Sequence, residues 1–190
     1  DGVVGFANLG NTCFLNSALQ CLLHSPPFVR LCVSRGLEVT RAAGRSKTKG
    51  RMAMAMEALC RRVWSGRRGG GGGGRGAVER PSEVKAVVGR AASRFLGYEQ
   101  QDAHEFLRFC IDGMHDDTNR VSKPPAYHEL KEDPTLSDAE LASVWAEEFK
   151  RRDDSPIADI FRGQLCSTVL CHKCGHKSRS FDPFWDLSLP

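Results

Sequence analysis

Apolar residues recur at helical spacing through most of the chain. Leu15, Ala18, Leu19 and Leu22 fall at i, i+3, i+4 and i+7, which predicts an amphipathic helix over Cys13–His24, with Thr12 as its cap and Pro26-Pro27 ending it. Further helices are predicted over Met52–Trp64, over Ser82–Arg94 behind Pro81, and from about Gln101 to Asp117, where Phe106, Cys110, Gly113 and Met114 share a face. Ser137 and Glu140 fit a capping box, and Leu141, Val144, Trp145, Glu148 and Phe149 continue it as a stripe on the following helix. From Phe161 the period changes. Gln164–Leu170 alternates and is rich in β-branched residues, Cys171–Gly175 reads as a tight turn, and Lys177–Phe181 and Phe184–Leu189 read as further strands. The pattern predicts an α+β chain, mainly helical over 1–160 with the start of a β part over 161–190.

Composition narrows the class. With 190 residues, 41% hydrophobic and 26% charged, the chain has the make-up of a globular protein with a real core. Its longest apolar stretch, Ala18–Leu23, is far short of the roughly 20 residues a membrane span needs, and no basic-then-apolar leader opens the sequence, so neither membrane insertion nor secretion is expected. The chain begins at Asp1 and stops at Pro190 inside an apparent strand, which reads as a piece cut at both ends.

The formal charge of +4 is unevenly spread. Residues 30–94 carry 16 basic and 4 acidic side chains, net +12, whereas residues 95–190 carry 11 basic and 18 acidic, net −7. Within the basic block, Gly69–Gly74 between arginines reads as a flexible insertion over about 65–77, because glycine loses the most entropy on ordering. An Arg/Gly segment of this kind invites an RNA reading, but it has no interleaved aromatics on which bases would stack, so nucleic acid is the unlikely partner and a solvated spacer the favoured reading.

Candidate chemistry concentrates near the start. Cys13 falls at the first turn of a predicted helix behind a glycine-containing loop, where the positive end of the helix dipole favours a thiolate. Amides of that loop, or the side chain of Asn8, could face an oxyanion formed on a carbonyl attacked by Cys13. On position alone a small buried cysteine is the commoner reading.

The run Asn8-Leu9-Gly10-Asn11-Thr12-Cys13-Phe14-Leu15-Asn16 resembles the cysteine box of the ubiquitin-specific proteases. Tyr98–Leu107 resembles the Q-Q-D-A-x-E-F segment of that family, and Phe161–Leu165, Cys171–Gly175 and Phe181–Leu189 resemble its fingers region, all in the family's order. The resemblance implies a papain-like fingers-palm-thumb fold, here a helical thumb followed by the beginning of the fingers. It implies a thiol-dependent deubiquitinase that hydrolyses the bond after the C-terminal glycine of ubiquitin through a cysteine acyl-enzyme. Cys13 is then the nucleophile and Asn8 the oxyanion donor. Gln100, Asp102 and Glu105 bind the arginine-bearing tail of ubiquitin, a role that suits two carboxylates three residues apart on one helix face. The partners implied are ubiquitin and ubiquitinated proteins, in the cytoplasm or nucleus.

Cys171-x-x-Cys174 is half of a structural zinc site, which needs four ligands; the resemblance implies that a second pair follows beyond Pro190. The remaining cysteines, 21, 32, 60, 110 and 166, read as mostly core residues of a reducing compartment. The family's general base, a histidine oriented by Asp or Asn, lies in a block C-terminal to the fingers. None of the six histidines here sits in a matching motif, and His104 reads as structural. The chain is therefore expected to be inactive by itself. The alternative is a catalytically silent ubiquitin-binding or scaffold protein on the same fold, for which Cys13 would have no purpose.

Overall fold

A computed structural model describes residues 2–40, 44, 46–64, 78–126 and 129–187. The glycine-rich insertion, His128 and the last two positions of the final expected strand, Ser188 and Leu189, lie outside the described residues.

The elements run β1 (Gly5–Phe6), α1 (Cys13–Leu23), α2 (Pro26–Arg30), a π-helical turn (Leu31–Arg35), α3 (Arg51–Trp64), β2 (Val78–Glu79), α4 (Ser82–Ala91), a 3-10 turn (Ser93–Phe95), α5 (Ala103–Asp117), α6 (Asp138–Arg152), α7 (Ala158–Phe161), β3 (Gly163–Leu170) and β4 (Lys177–Phe184). The apolar faces anticipated for the first, second and fourth long helices meet in one core. Leu15, Leu19 and Leu23 of α1, Met52, Met56 and Leu59 of α3, and Phe106, Cys110 and Met114 of α5 are all essentially inaccessible to water. Each large apolar side chain buried in this way contributes about 1.5–3 kcal/mol. No described helix is long and apolar enough to cross a membrane.

Polar residues on α1 hold the chain's first segment alongside it. The Asn16 amide donates to the Phe6 and Ala7 carbonyls at 3.3 Å, the Gln20 amide to the Val4 carbonyl at 2.8 Å, and the His24 ring bonds the Gly2 carbonyl at 2.9 Å. The segment also pairs in parallel with β2, Gly5 opposite Val78 and Phe6 opposite Glu79. Residues 8–12 are thereby delivered to the start of α1.

Two charged side chains organise the rest. Asp117, the last residue of α5, has no exposed surface and accepts from the Ser46 and Thr48 hydroxyls and from the Gly50, Met52 and Ala53 amides, so it caps α3 from across the fold. Arg179 of β4 is almost buried and donates to Glu132 at 2.6 Å, to Asp138 at 2.7 Å and to the Leu136 carbonyl at 3.0 Å, pinning the loop before α6 to the β3–β4 hairpin.

Local differences from expectation have local causes. α4 stops at Ala91 because Ala92 is extended, with φ −142° and ψ 102°, and Ser93–Phe95 continues as a 3-10 turn. The capping box at Ser137 and Glu140 forms in both directions, but Val144 points to solvent and the apolar stripe of α6 is narrower than its sequence spacing implies. β4 runs without a break from Lys177 through Pro183 to Phe184, opposite Gly163. Pro183 is tolerated there because the two-stranded sheet leaves β4 with an edge that needs no donor.

Candidate active site

The loop before α1 is built around the Asn8 side chain. Its Oδ1 accepts from the Gly10 amide at 2.9 Å and from the Thr12 amide and hydroxyl at 3.2 Å. Thr12 does occupy the cap position of α1, but its hydroxyl serves this loop, accepting from the Leu9 amide at 2.9 Å, and makes no cap bond to the helix. With Oδ1 held on three sides, the Nδ2 group is the end of the Asn8 amide that the loop does not use. Cys13 follows as the first residue of α1 and is exposed, so the buried reading does not hold for it. Cys13 thus belongs to the first turn of the helix, whose amides have no carbonyl partners inside it.

The segment that begins at Tyr98 is joined directly to this loop. Gly10 has φ +101°, and a Cβ there would come within 2.6 Å of the Tyr98 ring; the Asn11 amide donates to the Tyr98 carbonyl at 2.8 Å. Below this junction Phe14, Phe95 and Phe106 form a three-ring cluster, with centroids 5.6 to 6.1 Å apart, so the first turns of α1 and α5 lie side by side. Two stretches separated by some 90 positions thus form one surface, with Gln100 and Asp102 exposed on it.

Asp102 and Glu105 do not act as an open pair of carboxylates. Asp102 caps α5, accepting from the Glu105 amide at 2.8 Å, and Glu105 is paired with Arg94 while remaining 45% exposed. Arg94 carries no motif signal; only the 3-10 turn after α4 brings it to Glu105. Asp186 was equally illegible as a partner. It receives His104 at 2.7 Å and Arg108 at 3.2 Å, and with them rims a cavity of about 230 Å3 floored by Leu22, Leu107, Ile111 and Trp185. His104 is therefore held by a carboxylate at the rim of that cavity.

Two further histidines are also committed elsewhere. His24 is spanned by the Gln20 and Gly2 carbonyls, and buried His115 by Ser155 and Asp153 at 2.7 Å each. None of the described histidines hydrogen-bonds Cys13.

Cys171 and Cys174 stand exposed on the turn between β3 and β4. The turn is closed by the Gly175 amide on the Cys171 carbonyl and the Cys171 amide on the His176 carbonyl, both at 2.8 Å. Hydrogen bonds from Cys174, chiefly its backbone amide, hold the Cys171 thiol below its ordinary range. No group of three metal-ligating side chains exists among the described residues. This pair alone does not fit a four-coordinate ion. Of the remaining cysteines, 32, 60 and 110 are buried as expected, whereas Cys21 and Cys166 are exposed. Cys21 lies on the edge of the α1 stripe beside the Asp186 cavity, and Cys166 on a hairpin that packs little of its own surface.

A family model described as ubiquitin carboxyl-terminal hydrolase matches residues 4–184. The chain belongs to the ubiquitin carboxyl-terminal hydrolase family. It is 41% identical over 189 residues to ubiquitin carboxyl-terminal hydrolase 10 of Arabidopsis thaliana and 40% identical over 189 residues to ubiquitin carboxyl-terminal hydrolase 2 of Homo sapiens. Each alignment takes in all of this chain but only 20% and 30% of those hydrolases, respectively. Among solved structures, the SAGA DUB module of Ubp8, Sgf11, Sus1 and Sgf73 bound to monoubiquitin contains a chain that matches with a TM-score of 0.61 at 24% identity, covering 98% of this chain and 35% of that one. The fold is thus the α+β, papain-like fold of the ubiquitin-specific hydrolases that the cysteine box implied.

Proposed function

We propose that the protein is a deubiquitinase in which Cys13 attacks the carbonyl of ubiquitin's C-terminal glycine. The thiolate adds to the carbonyl carbon, the amine of the modified protein leaves with a proton, and water then hydrolyses the resulting thioester. The observation that carries this reading is the exposed Cys13 at the head of α1 behind a loop that fixes Asn8 through its Oδ1 alone. The free Nδ2 group and the first-turn amides are donors for the oxyanion, each such donor being worth about 3–4 kcal/mol in the transition state. The proton-accepting histidine belongs to a part of the protein outside these residues, and the 190-residue chain by itself does not turn over.

Gln100, Asp102 and Glu105 bind the ubiquitin tail. Glu105 exchanges Arg94 for an arginine of the substrate, and Arg94, already half exposed, is released to solvent. Cys171 and Cys174 supply two of four ligands to a structural zinc ion, the other pair coming from elsewhere in the protein. The partners are ubiquitin and ubiquitinated proteins, met in the cytoplasm or nucleus.

The test is a ubiquitin probe with a C-terminal electrophile, applied to the full-length protein. Labelling is expected to vanish in Cys13→Ala, and Glu105→Lys is expected to weaken ubiquitin binding roughly tenfold or more. Undiminished labelling of Cys13→Ala would remove the nucleophile assignment. Binding of ubiquitin by the unaltered protein without labelling would identify a silent scaffold.

A further inference from the structure

Of the basic block of the sequence, Arg94 alone enters the site described above through its pair with Glu105, yet another part of the block is held in a defined shape. From Ser46 to Arg51 the chain alternates between residues turned inward and residues turned outward. Ser46, Thr48 and Gly50 are buried, the first two through their hydroxyls and the third through its amide on the Asp117 carboxylate. Lys47, Lys49 and Arg51, the residues between them, are exposed. Lys49 is held at φ +52°, a left-handed conformation that lysine seldom adopts, and Gly50 at φ +84°, where a Cβ would strike Val39 at 2.7 Å. Backbone held in this region tends to mark sites of function.

A fourth cation closes the group. Arg90, in the last turn of α4, joins Lys47, Lys49 and Arg51 around a cavity of about 210 Å3 whose floor is Val87 and Ala91. Among the described residues none of these four cations forms a salt bridge with a carboxylate. The acids nearby are Asp117, whose buried carboxylate accepts from the Thr48 hydroxyl and the Gly50 amide; Asp112, Asp116 and Asp153, which line a further cavity with Lys47; and Glu83, which borders the adjoining cavity that Arg51 and Arg90 also line. Four like charges converging on one small concavity repel one another, and a compact counter-ion relieves that repulsion. The lining holds no aromatic ring on which a base would stack, and the site is a cup, not a stripe along which a nucleic-acid backbone would run.

We infer that the cup formed by Lys47, Lys49, Arg51 and Arg90 binds a compact anion bearing several phosphate groups, of the inositol polyphosphate class. The site is separate from Cys13 and independent of the deubiquitinase reading. The same headgroup chemistry is offered free in solution or on a membrane surface, and both sources use the same four cations.

The experiment titrates the full-length protein with inositol hexakisphosphate, and in parallel with phosphatidylcholine vesicles that contain or lack phosphatidylinositol bisphosphate. Saturable binding to at least one phosphate-bearing probe is expected, weakened roughly tenfold or more by Lys49→Gln with Arg90→Gln and by raised salt. Arg151→Gln with Arg152→Gln, which removes two cations elsewhere, is expected to leave it unchanged. Binding to the soluble probe alone, or to the lipid-bearing vesicles alone, tells which source the cup accepts. Absence of binding to both overturns the inference, as does equal loss with the two substitution pairs. A single-stranded RNA that binds through Lys49 and Arg90 where neither phosphate probe does would also overturn it.

Discussion

At the scale of single residues, Asp117 shows how a charge that looks misplaced becomes structural. An acid in the last turn of α5 opposes that helix's own dipole, which favours cations there. The same carboxylate lies at the start of α3, where the dipole of that helix favours it, and five donors converge on it in a region without water. Asp117→Ala would leave three amides without an acceptor in the interior and two hydroxyls with only each other, at a cost of about 3–5 kcal/mol. Urea denaturation of the variant should show a loss of that size, and a loss below about 1 kcal/mol would mean that water replaces the carboxylate. Cys13 presents the opposite case. Its neighbourhood is assembled from groups within five positions, so the cysteine box could be read without knowledge of the fold.

Among the elements, acidic side chains divide by what surrounds them. Burial on α5 pushes the Asp112 and Asp116 carboxyls above their ordinary range. Burial also opposes ionisation of Asp153, but hydrogen bonds from His115 and Asn119 outweigh it and its carboxyl falls below that range. Hydrogen bonds from Arg179 lower Glu132 and Asp138 in the same way. A carboxyl raised by folding binds its proton more tightly in the folded state, so stability should rise as pH falls from neutrality toward the ordinary carboxylate value of about 4. Below that value it should fall, as the lowered carboxylates of Asp153, Glu132 and Asp138 are protonated and their hydrogen bonds are lost. Denaturation midpoints measured across this range should pass through a maximum on the mildly acidic side, and Asp112→Asn should flatten the rising limb. A midpoint that only declines from neutrality downward would contradict the assignment.

For the whole molecule, the elements legible in the sequence were those fixed by near neighbours: the amphipathic α1, α3 and α5, the capping box at Ser137, and the β3–β4 hairpin around its two-cysteine turn. What escaped the sequence was set by distant partners. Arg179 reads as an exposed strand cation until Glu132 and Asp138 fold over it, and Arg94 reads as a surface residue until Glu105 reaches it. The candidate site depends on both kinds of information, because the Cys13 loop forms locally and is then aligned against the Tyr98 segment. Gly10→Ala tests that alignment. Its Cβ would displace the Tyr98 ring, and labelling of Cys13 by the ubiquitin probe should slow roughly a hundredfold, since small displacements at a reacting centre carry penalties of that order. Thermal unfolding should shift only modestly, because the junction is at the surface; unchanged labelling would show that the two segments need not touch.

The contacts between α1 and the segment before it amount to a vernier. Asn16, Gln20 and His24 climb in steps of four residues, about 6 Å each, while the carbonyls they meet at residues 6, 4 and 2 descend in steps of two residues along a segment that is strand at Gly5–Phe6 and turned at its start, where the Val4 amide donates to the Gly2 carbonyl at 3.1 Å. The two rulers agree closely enough over three marks for all of them to engage at once, and only with the strand running opposite to the helix. A single residue inserted between Gly2 and Phe6 would put the scales out of phase. The spacing of three side chains on one helix thus sets the length of chain that leads to Asn8, and with it the distance at which that amide stands from the thiol.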